Sequence, residues 1–321
     1  MTDTNNQLPE KFLTRLSEMV SPEEKEKILQ AFSHRNPPTF RANTLKISPE
    51  DLREELAKQD ILVETVPWYK DAFILTNQPQ KVLTTTKLYN DGYFYVQSLS
   101  SMLPPLILNP QPNEKILDIT AAPGSKTTQI AVLMKNTGEI IANDKSRVRL
   151  YKLEANLKQQ GVTNTKITYM PAQTIWQKFP EYFDKTLVDV PCSMEGRFYT
   201  ENPKSFADWS TNKIDFLQNI QKYILRSAIS ATKVGGEIVY STCTLSPEEN
   251  EAVIDWILKK EQGAVVVEPI QLAHLAFARP LLQWKQKTFN PQISNTARIM
   301  PSLLMEGFFI AKLKKIRSTL Q

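Results

Sequence analysis

The sequence predicts an α/β protein: a mostly parallel sheet with helices on both faces, preceded by a small α+β domain. Three observations carry this. From Lys115 onward, short apolar runs alternate with segments of helical spacing. The first hundred residues mix helices and strand-like runs without that alternation. Between them lies a proline-rich stretch, Pro104-Pro105 to Pro110-Gln111-Pro112, which reads as the seam. A chain of 321 residues suits two domains, expected at 1–111 and 112–321.

Met1–Gln7 reads as a loose tail. One signature then appears at Ser21-Pro22-Glu23-Glu24, Ser48-Pro49-Glu50-Asp51 and Ser246-Pro247-Glu248-Glu249. Serine caps a helix, proline suits its first position, and the acids favour its positive end. Helices are therefore predicted over Lys25–Phe32, Leu52–Lys58 and Asn250–Lys260. Strand-like runs in the first domain are Thr39–Ile47, Ile61–Val66, Ala72–Leu75 and Tyr93–Val96. In the second domain the predicted strands are Lys115–Ile119, Glu139–Ala142, Lys166–Tyr169, Lys185–Val190, Glu237–Ser241 and Gly307–Leu313. The predicted helices between them are Ser125–Met134, Arg147–Gln159 and Ile214–Thr232.

Lys+Arg exceeds Asp+Glu by 39 to 34, a mild excess that permits an anionic partner without demanding one. Two cysteines and two histidines argue against a disulfide framework or a metal centre. No apolar run approaches the roughly 20 residues of a membrane helix, and Met1–Leu8 lacks a signal-peptide core. The expectation is a soluble, reduced, cytoplasmic protein with no metal and no membrane partner.

The most informative segment is Ile116–Thr127, where a strand runs into a turn of small residues and then a helix. Such loops at strand ends let backbone approach a ligand. The glycine spacing fits neither a Walker loop nor a dinucleotide fingerprint. A small-residue turn followed by an acid at the next strand end, Asp144, suits an adenosine ligand, because a carboxylate accepts from a ribose diol. Cys192 and Cys243 each follow an apolar strand directly, so both can open on the same crevice. Spacing alone does not identify their chemistry.

These residues resemble the Nol/Nop/Sun family of S-adenosylmethionine-dependent RNA cytosine-5 methyltransferases. The resemblance runs from about Arg41 to Leu313 and rests on Arg41–Leu45, Val96–Met102, the Asp118–Thr128 loop, Asp189–Ser193, Tyr240–Thr244 with Glu248-Glu249-Asn250, and Glu306–Ala311. Met194–Phe198 followed by Trp209-Ser210 looks most like the bacterial small-subunit rRNA branch. The chain departs at Thr120, where Cys is frequent, at Ser193-Met194, where Ser-Gly is usual, and at Pro171, where many members carry an acid near the adenine.

The resemblance implies a Rossmann-like class I methyltransferase with a seven-stranded sheet and one antiparallel strand near the C-terminus. It implies that Thr120, Ala121, Ala122, Pro123, Gly124, Ser125 and Lys126 cradle S-adenosyl-L-methionine, with Asp144 on the ribose and Asp189 on the methionine part or the base. It implies Cys243 as nucleophile and Cys192 as the group assisting release. DNA cytosine methyltransferases use the Pro-Cys cysteine for attack, and the residues themselves do not choose. Arg41, Asn43 and Lys46 are expected on one RNA-facing segment. The basic runs Lys145–Lys152 and Lys312–Arg317, and the aromatic run Tyr93-Phe94-Tyr95, are weaker RNA candidates. His34 and His274 receive no role. The expected substrate is a cytosine of 16S-type rRNA, with tRNA second and a non-catalytic RNA-binding scaffold as the rival of another class.

Overall fold

The computed structural model describes residues 7–320, so most of the expected N-terminal tail lies outside the described residues. The chain opens with helices α1 (Glu10–Met19) and α2 (Pro22–Phe32). Ser21 closes a capping box with Glu24 at the start of α2. Next come β1 (Thr39–Ala42), α3 (Pro49–Ala57), β2 (Val63–Val66), β3 (Tyr69–Leu75), α4 (Gln80–Thr85), α5 (Lys87–Asn90) and β4 (Phe94–Val96). The four strands form an antiparallel sheet in the order β2-β3-β1-β4. Phe40, Phe73 and Phe94 make its core with Leu52, Leu56 and Leu83. The run expected as one long strand, Thr39–Ile47, stops at Ala42 and turns.

Helix α6 (Leu99–Leu108) follows, with Pro104 and Pro105 inside it. The first prolines of the expected seam are therefore helical. Pro105 has no N–H to give the Ser101 carbonyl, and the Gln97 side chain donates to that oxygen instead, at 3.0 Å.

The second sheet is built from β5 (Lys115–Asp118), α7 (Ser125–Leu133), β6 (Glu139–Asn143), α8 (Arg147–Gln160), β7 (Thr165–Thr168), β8 (Phe183–Asp189), α9 (Thr211–Ala231), β9 (Thr232–Thr242), α10 (Glu251–Lys260) and β10 (Val265–Glu268). A two-stranded ribbon, β11 (Gln283–Trp284) and β12 (Lys287–Thr288), precedes β13 (Ala297–Ile299) and β14 (Phe308–Lys315). The order is β10-β14-β9-β8-β5-β6-β7. Strands β9, β8, β5, β6 and β7 are parallel, and β14 is antiparallel to both neighbours. The seven strands and the late antiparallel strand match the expectation, and β13 adds a short eighth on β14. Strand β9 begins five residues earlier than expected, continuing through a register shift opposite Phe183–Lys185, beside Gly235 at φ +82°.

The core of this sheet reaches back to the first helices: Phe12, Leu16 and Phe32 pack with Phe198 and Trp209. Polar contacts close the other side and correct the expectation for Arg41, Asn43 and Lys46. Arg41 is fully buried, donating to Gln97 Oε1 (2.9 Å), the Ser125 carbonyl (3.0 Å) and Thr128 Oγ1 (2.7 Å). Buried Asn43 donates to the Gly92 and Gln160 carbonyls, both at 2.8 Å. The Lys46 ammonium donates to the Asp91 and Gln159 carbonyls, both at 2.7 Å. Asn43 and Lys46 thus satisfy carbonyls at the C-terminal end of α8, where unpaired acceptors and the helix dipole favour donors and cations. Arg41 and Asn43 tie the two sheets together from the interior rather than facing a ligand, while Lys46 is exposed with its ammonium held by the two carbonyls.

Candidate active site

The carboxyl ends of β5, β8 and β9 open on a cavity of about 380 Å³. Thr120, Ala121, Ala122, Pro123, Ser125 and Lys126 line it, with Asp118, Asp189, Cys243, Arg149 and Arg197. Gly124 is absent from the wall. Its φ of +110° makes the turn, and a Cβ there would stand 2.9 Å from Leu153 Cδ1 on α8. Thr120 Oγ1 donates to the Asp189 carbonyl at 2.7 Å. The Lys126 ammonium pairs with Asp189 Oδ2 at 2.7 Å and donates to Ser101 Oγ at 2.9 Å. Ser241 Oγ donates to the other Asp189 oxygen at 2.8 Å. A single buried lysine thus orients the β8 carboxylate toward the cavity.

Asp144, only 2% exposed, lies behind Arg149. The Arg149 guanidinium stands 3.0 Å from Asp144 Oδ2 and donates to the Ala122 carbonyl. Asp144 Oδ2 nevertheless has no hydrogen-bond donor, although it is buried. Asp144 is outside the cavity wall, and its Oδ2 is ion-paired to Arg149 without a well-aligned donor, so a ribose diol would reach it only with Arg149 swung aside. Pro171 is exposed and opens a short 3₁₀ turn away from the cavity wall.

The two cysteines meet. Cys192 Sγ and Cys243 Sγ are 3.2 Å apart, both free. Cys243 lies on the cavity wall, and Cys192 is buried behind it. The contact with Cys243, then burial, push the Cys192 thiol well above its ordinary range, and either sulfur can be the donor of the pair. The loop after Cys192 is stitched to the loop after Cys243: Gly196 N–H donates to the Cys243 carbonyl, and Gly307 N–H to the Gly196 carbonyl. Gly196 and Gly307 approach so closely that a Cβ on Gly196 would stand 2.1 Å from the Gly307 oxygen.

Several residues of this site carried no role in the sequence reading. Asp118 ends β5 on the cavity wall, and burial raises its carboxyl to about 7 while it accepts from Thr127 Oγ1 at 2.6 Å. Arg197 pairs with Glu306 at 3.1 Å at the cavity mouth. Glu195 and Glu249 are fully buried under the cysteine loops. Their signal was proximity in sequence: each lies within six residues of a cysteine. The Lys312–Arg317 run is no basic patch. Lys315 is buried on main-chain carbonyls, and Lys312 and Lys314 pair with Glu237. Within Tyr93-Phe94-Tyr95, Phe94 belongs to the first core and Tyr95 lines the cavity. Among the described residues no cluster of three or more His, Cys, Asp or Glu could hold a metal ion.

The profile of the 16S rRNA methyltransferase RsmB/F family matches residues 105–314. The chain belongs to the RsmB/F family. Residues 8–99 match the N-terminal domain of 16S rRNA methyltransferase RsmF. The expected family, enzyme class and cofactor hold: this is an S-adenosylmethionine-dependent methyltransferase of the RNA cytosine-C5 type. Two relatives show the spread. A tRNA (cytosine(49)-C(5))-methyltransferase of Pyrococcus abyssi is 37% identical over 282 residues, covering 87% of this chain and 88% of the relative. A ribosomal RNA small subunit methyltransferase F of Aeromonas salmonicida is 38% identical over 286 residues, covering 87% of this chain but 58% of the relative. This RsmB/F member therefore spans little more than half of that rRNA enzyme. Among solved structures, a methyltransferase homologue from Pyrococcus horikoshii superposes with a TM-score of 0.85 at 35% identity, covering 98% of this chain and 97% of that one. NSun6 from Pyrococcus horikoshii with SFG, an S-adenosylmethionine analogue, gives 0.82 at 26% identity, covering 96% and 98%.

Proposed function

We propose that this chain methylates carbon 5 of a cytosine in small-subunit, 16S-type rRNA through a covalent cysteine adduct, in the cytoplasm. The observation that carries the covalent step is the pair of free thiols 3.2 Å apart at adjacent strand ends beside the cofactor-sized cavity. The Cys243 thiolate adds to carbon 6, and the ring electrons move to make carbon 5 nucleophilic. S-adenosylmethionine supplies the electrophilic methyl group. A base then takes the carbon-5 proton, the carbon 5–carbon 6 double bond reforms, and the Cys243 thiolate leaves. With Cys243 as the thiolate, Cys192 is the donor of the pair and stabilises the thiolate on arrival and departure. Asp144 holds the ribose, residues 120–126 hold the methionine end, and the Lys126–Asp189 pair presents a carboxylate to base or cofactor.

For RNA, a trough takes the place of buried Arg41 and Asn43 and of the carbonyl-bound Lys46. The main cavity shares Val96, Gln97, Ser98 and Arg197 with a second hollow of about 330 Å³, which shares Arg35, Asn36 and Gln80 with a third of about 530 Å³. Exposed Arg35, Lys81 and Arg197 line it, a spacing of cations that suits the phosphates flanking a flipped base. Replacing Arg35 and Lys81 by alanine together should weaken RNA binding and flatten its salt dependence, while leaving cofactor binding unchanged. Equal salt slopes in mutant and parent would move the RNA path elsewhere.

Bisulfite sequencing of total RNA with and without the gene tests the substrate. Loss of one 5-methylcytosine from small-subunit rRNA is expected. Loss from tRNA alone would favour the second reading, which the 88% coverage of the archaeal tRNA enzyme supports.

A further inference from the structure

Below the thiols runs a closed line of polar side chains that the chemistry above leaves unused. Ser193 follows Cys192, and Thr244 follows Cys243. Their hydroxyl oxygens are 2.7 Å apart. Ser193 Oγ also contacts Glu249 Oε1, and Thr244 Oγ1 lies 3.1 Å from Glu195 Oε2. All four residues are buried, with Ser193 the most exposed at 4%. Each end of the line is closed by donors. Glu249 Oε2 accepts from Gln221 Nε2 (2.8 Å) and the Ser193 N–H (3.0 Å), and Glu195 Oε1 accepts from Trp209 Nε1 (2.8 Å).

Counting protons decides the state of this line. Glu249···Ser193···Thr244···Glu195 has three contacts, and each needs one proton. The two hydroxyls supply two, and ionised carboxylates supply none. With both acids ionised, each hydroxyl turns outward and the two hydroxyl oxygens face each other at 2.7 Å with nothing between. We propose that Glu195 and Glu249 share one proton across this line, and that the completed line is a positioning device holding the Cys192 and Cys243 loops in register. The positioning role rests on the cysteine reading; the shared proton does not. Burial agrees with it, raising the Glu249 carboxyl to about 8 and the Glu195 carboxyl as well. Arg15, paired with Glu248 and bonded to Ser246, is the cation that acts on Glu195; it opposes the burial there, and the Glu248 charge works against it.

Glutamine substitution tests the count. A glutamine at either end mimics the protonated acid, its amide N–H replacing the shared proton. Glutamine at both ends places two amide donors and two hydroxyl donors on three contacts. Neither amide can turn its oxygen inward, because its outward side already faces donors. Glu249→Gln and Glu195→Gln should therefore each keep kcat within about threefold, and the double variant should fall about tenfold or more below the product of the two. Glu249→Ala should lose kcat by at least about thirtyfold with a smaller change in KM for S-adenosylmethionine, and Glu249→Gln should rescue it. Denaturation midpoints of the two single glutamine variants and the double should show the same non-additivity. Additive midpoints, or a Glu249→Gln variant as damaged as Glu249→Ala, would overturn the shared proton. Non-additive midpoints with no methyl transfer in any variant, parent included, would uphold the proton and refute the catalytic reading instead.

Discussion

The tetrapeptide Ser-Pro-Glu-Glu occurs at 21–24 and again at 246–249, and the two copies behave as different objects. At 21–24 it sits in water. Ser21 Oγ accepts from the Glu24 N–H, Glu24 accepts from the Ser21 N–H, and Glu23 pairs with Lys27 on the exposed face of α2. At 246–249 it starts no helix, and α10 begins only at Glu251. Ser246 accepts from Arg15 and donates to Glu248, Glu248 takes both Arg15 nitrogens, and Glu249 turns inward to Ser193. Arg15 comes from α1, the helix just before the first copy. A capping code is read only where no stronger donor competes. Burial brings distant donors whose satisfaction outweighs a local cap of about 1 kcal/mol.

The contrast is broken most severely at Arg15. Arg15→Ala leaves the mostly buried Glu248 with only Trp284 and Ser246 as close partners and should lower unfolding free energy by roughly 3 kcal/mol, seen as a shift in urea midpoint. An unchanged midpoint would mean that the second copy is held by its backbone alone.

The two neighbouring acids of that copy should respond to pH in opposite ways. Burial works against ionisation at Glu248, but Arg15 and Trp284 bring it down to about 2; burial lifts Glu249 to about 8. A depressed acid contributes stability above its unfolded value near 4.5 and loses it as pH falls toward 2. A raised acid contributes fully below 4.5 and loses its contribution as pH rises toward 8. Glu249→Gln should therefore flatten the decline of stability between about pH 4.5 and 8, where one proton changes the slope by at most about 1.4 kcal/mol per pH unit. Arg15→Ala should instead flatten the acid limb. Parallel curves for parent and Glu249→Gln would contradict the assignment.

Smaller effects belong to the first copy. Ser21→Ala should destabilise by about 1 kcal/mol and leave methyl transfer unchanged. Glu23→Gln, which removes a fully exposed pair, should move neither.

The same contrast explains how much the sequence disclosed. The α/β alternation, the placing of the 120–126 loop at the cavity and the meeting of the two cysteines were readable, because strand ends and small-residue turns are encoded locally. The misread residues share one feature. Arg41, Asn43, Lys315 and Glu249 are polar side chains whose partners are main-chain carbonyls or side chains far along the chain, and residue type alone says solvent or ligand for each. Pro105 inside α6 was hidden in the same way, since its missing donor is replaced by a side chain from outside the helix.

The division of labour between the thiols admits the most direct test. Small-subunit rRNA from cells lacking the gene is incubated with the enzyme and S-adenosylmethionine, then run on a denaturing gel. Cys192→Ala should accumulate a protein–RNA adduct, Cys243→Ala should form none and transfer no methyl, and the double variant should form none. An adduct trapped by Cys243→Ala but not by Cys192→Ala would reverse the roles, and full activity in both would end the covalent account.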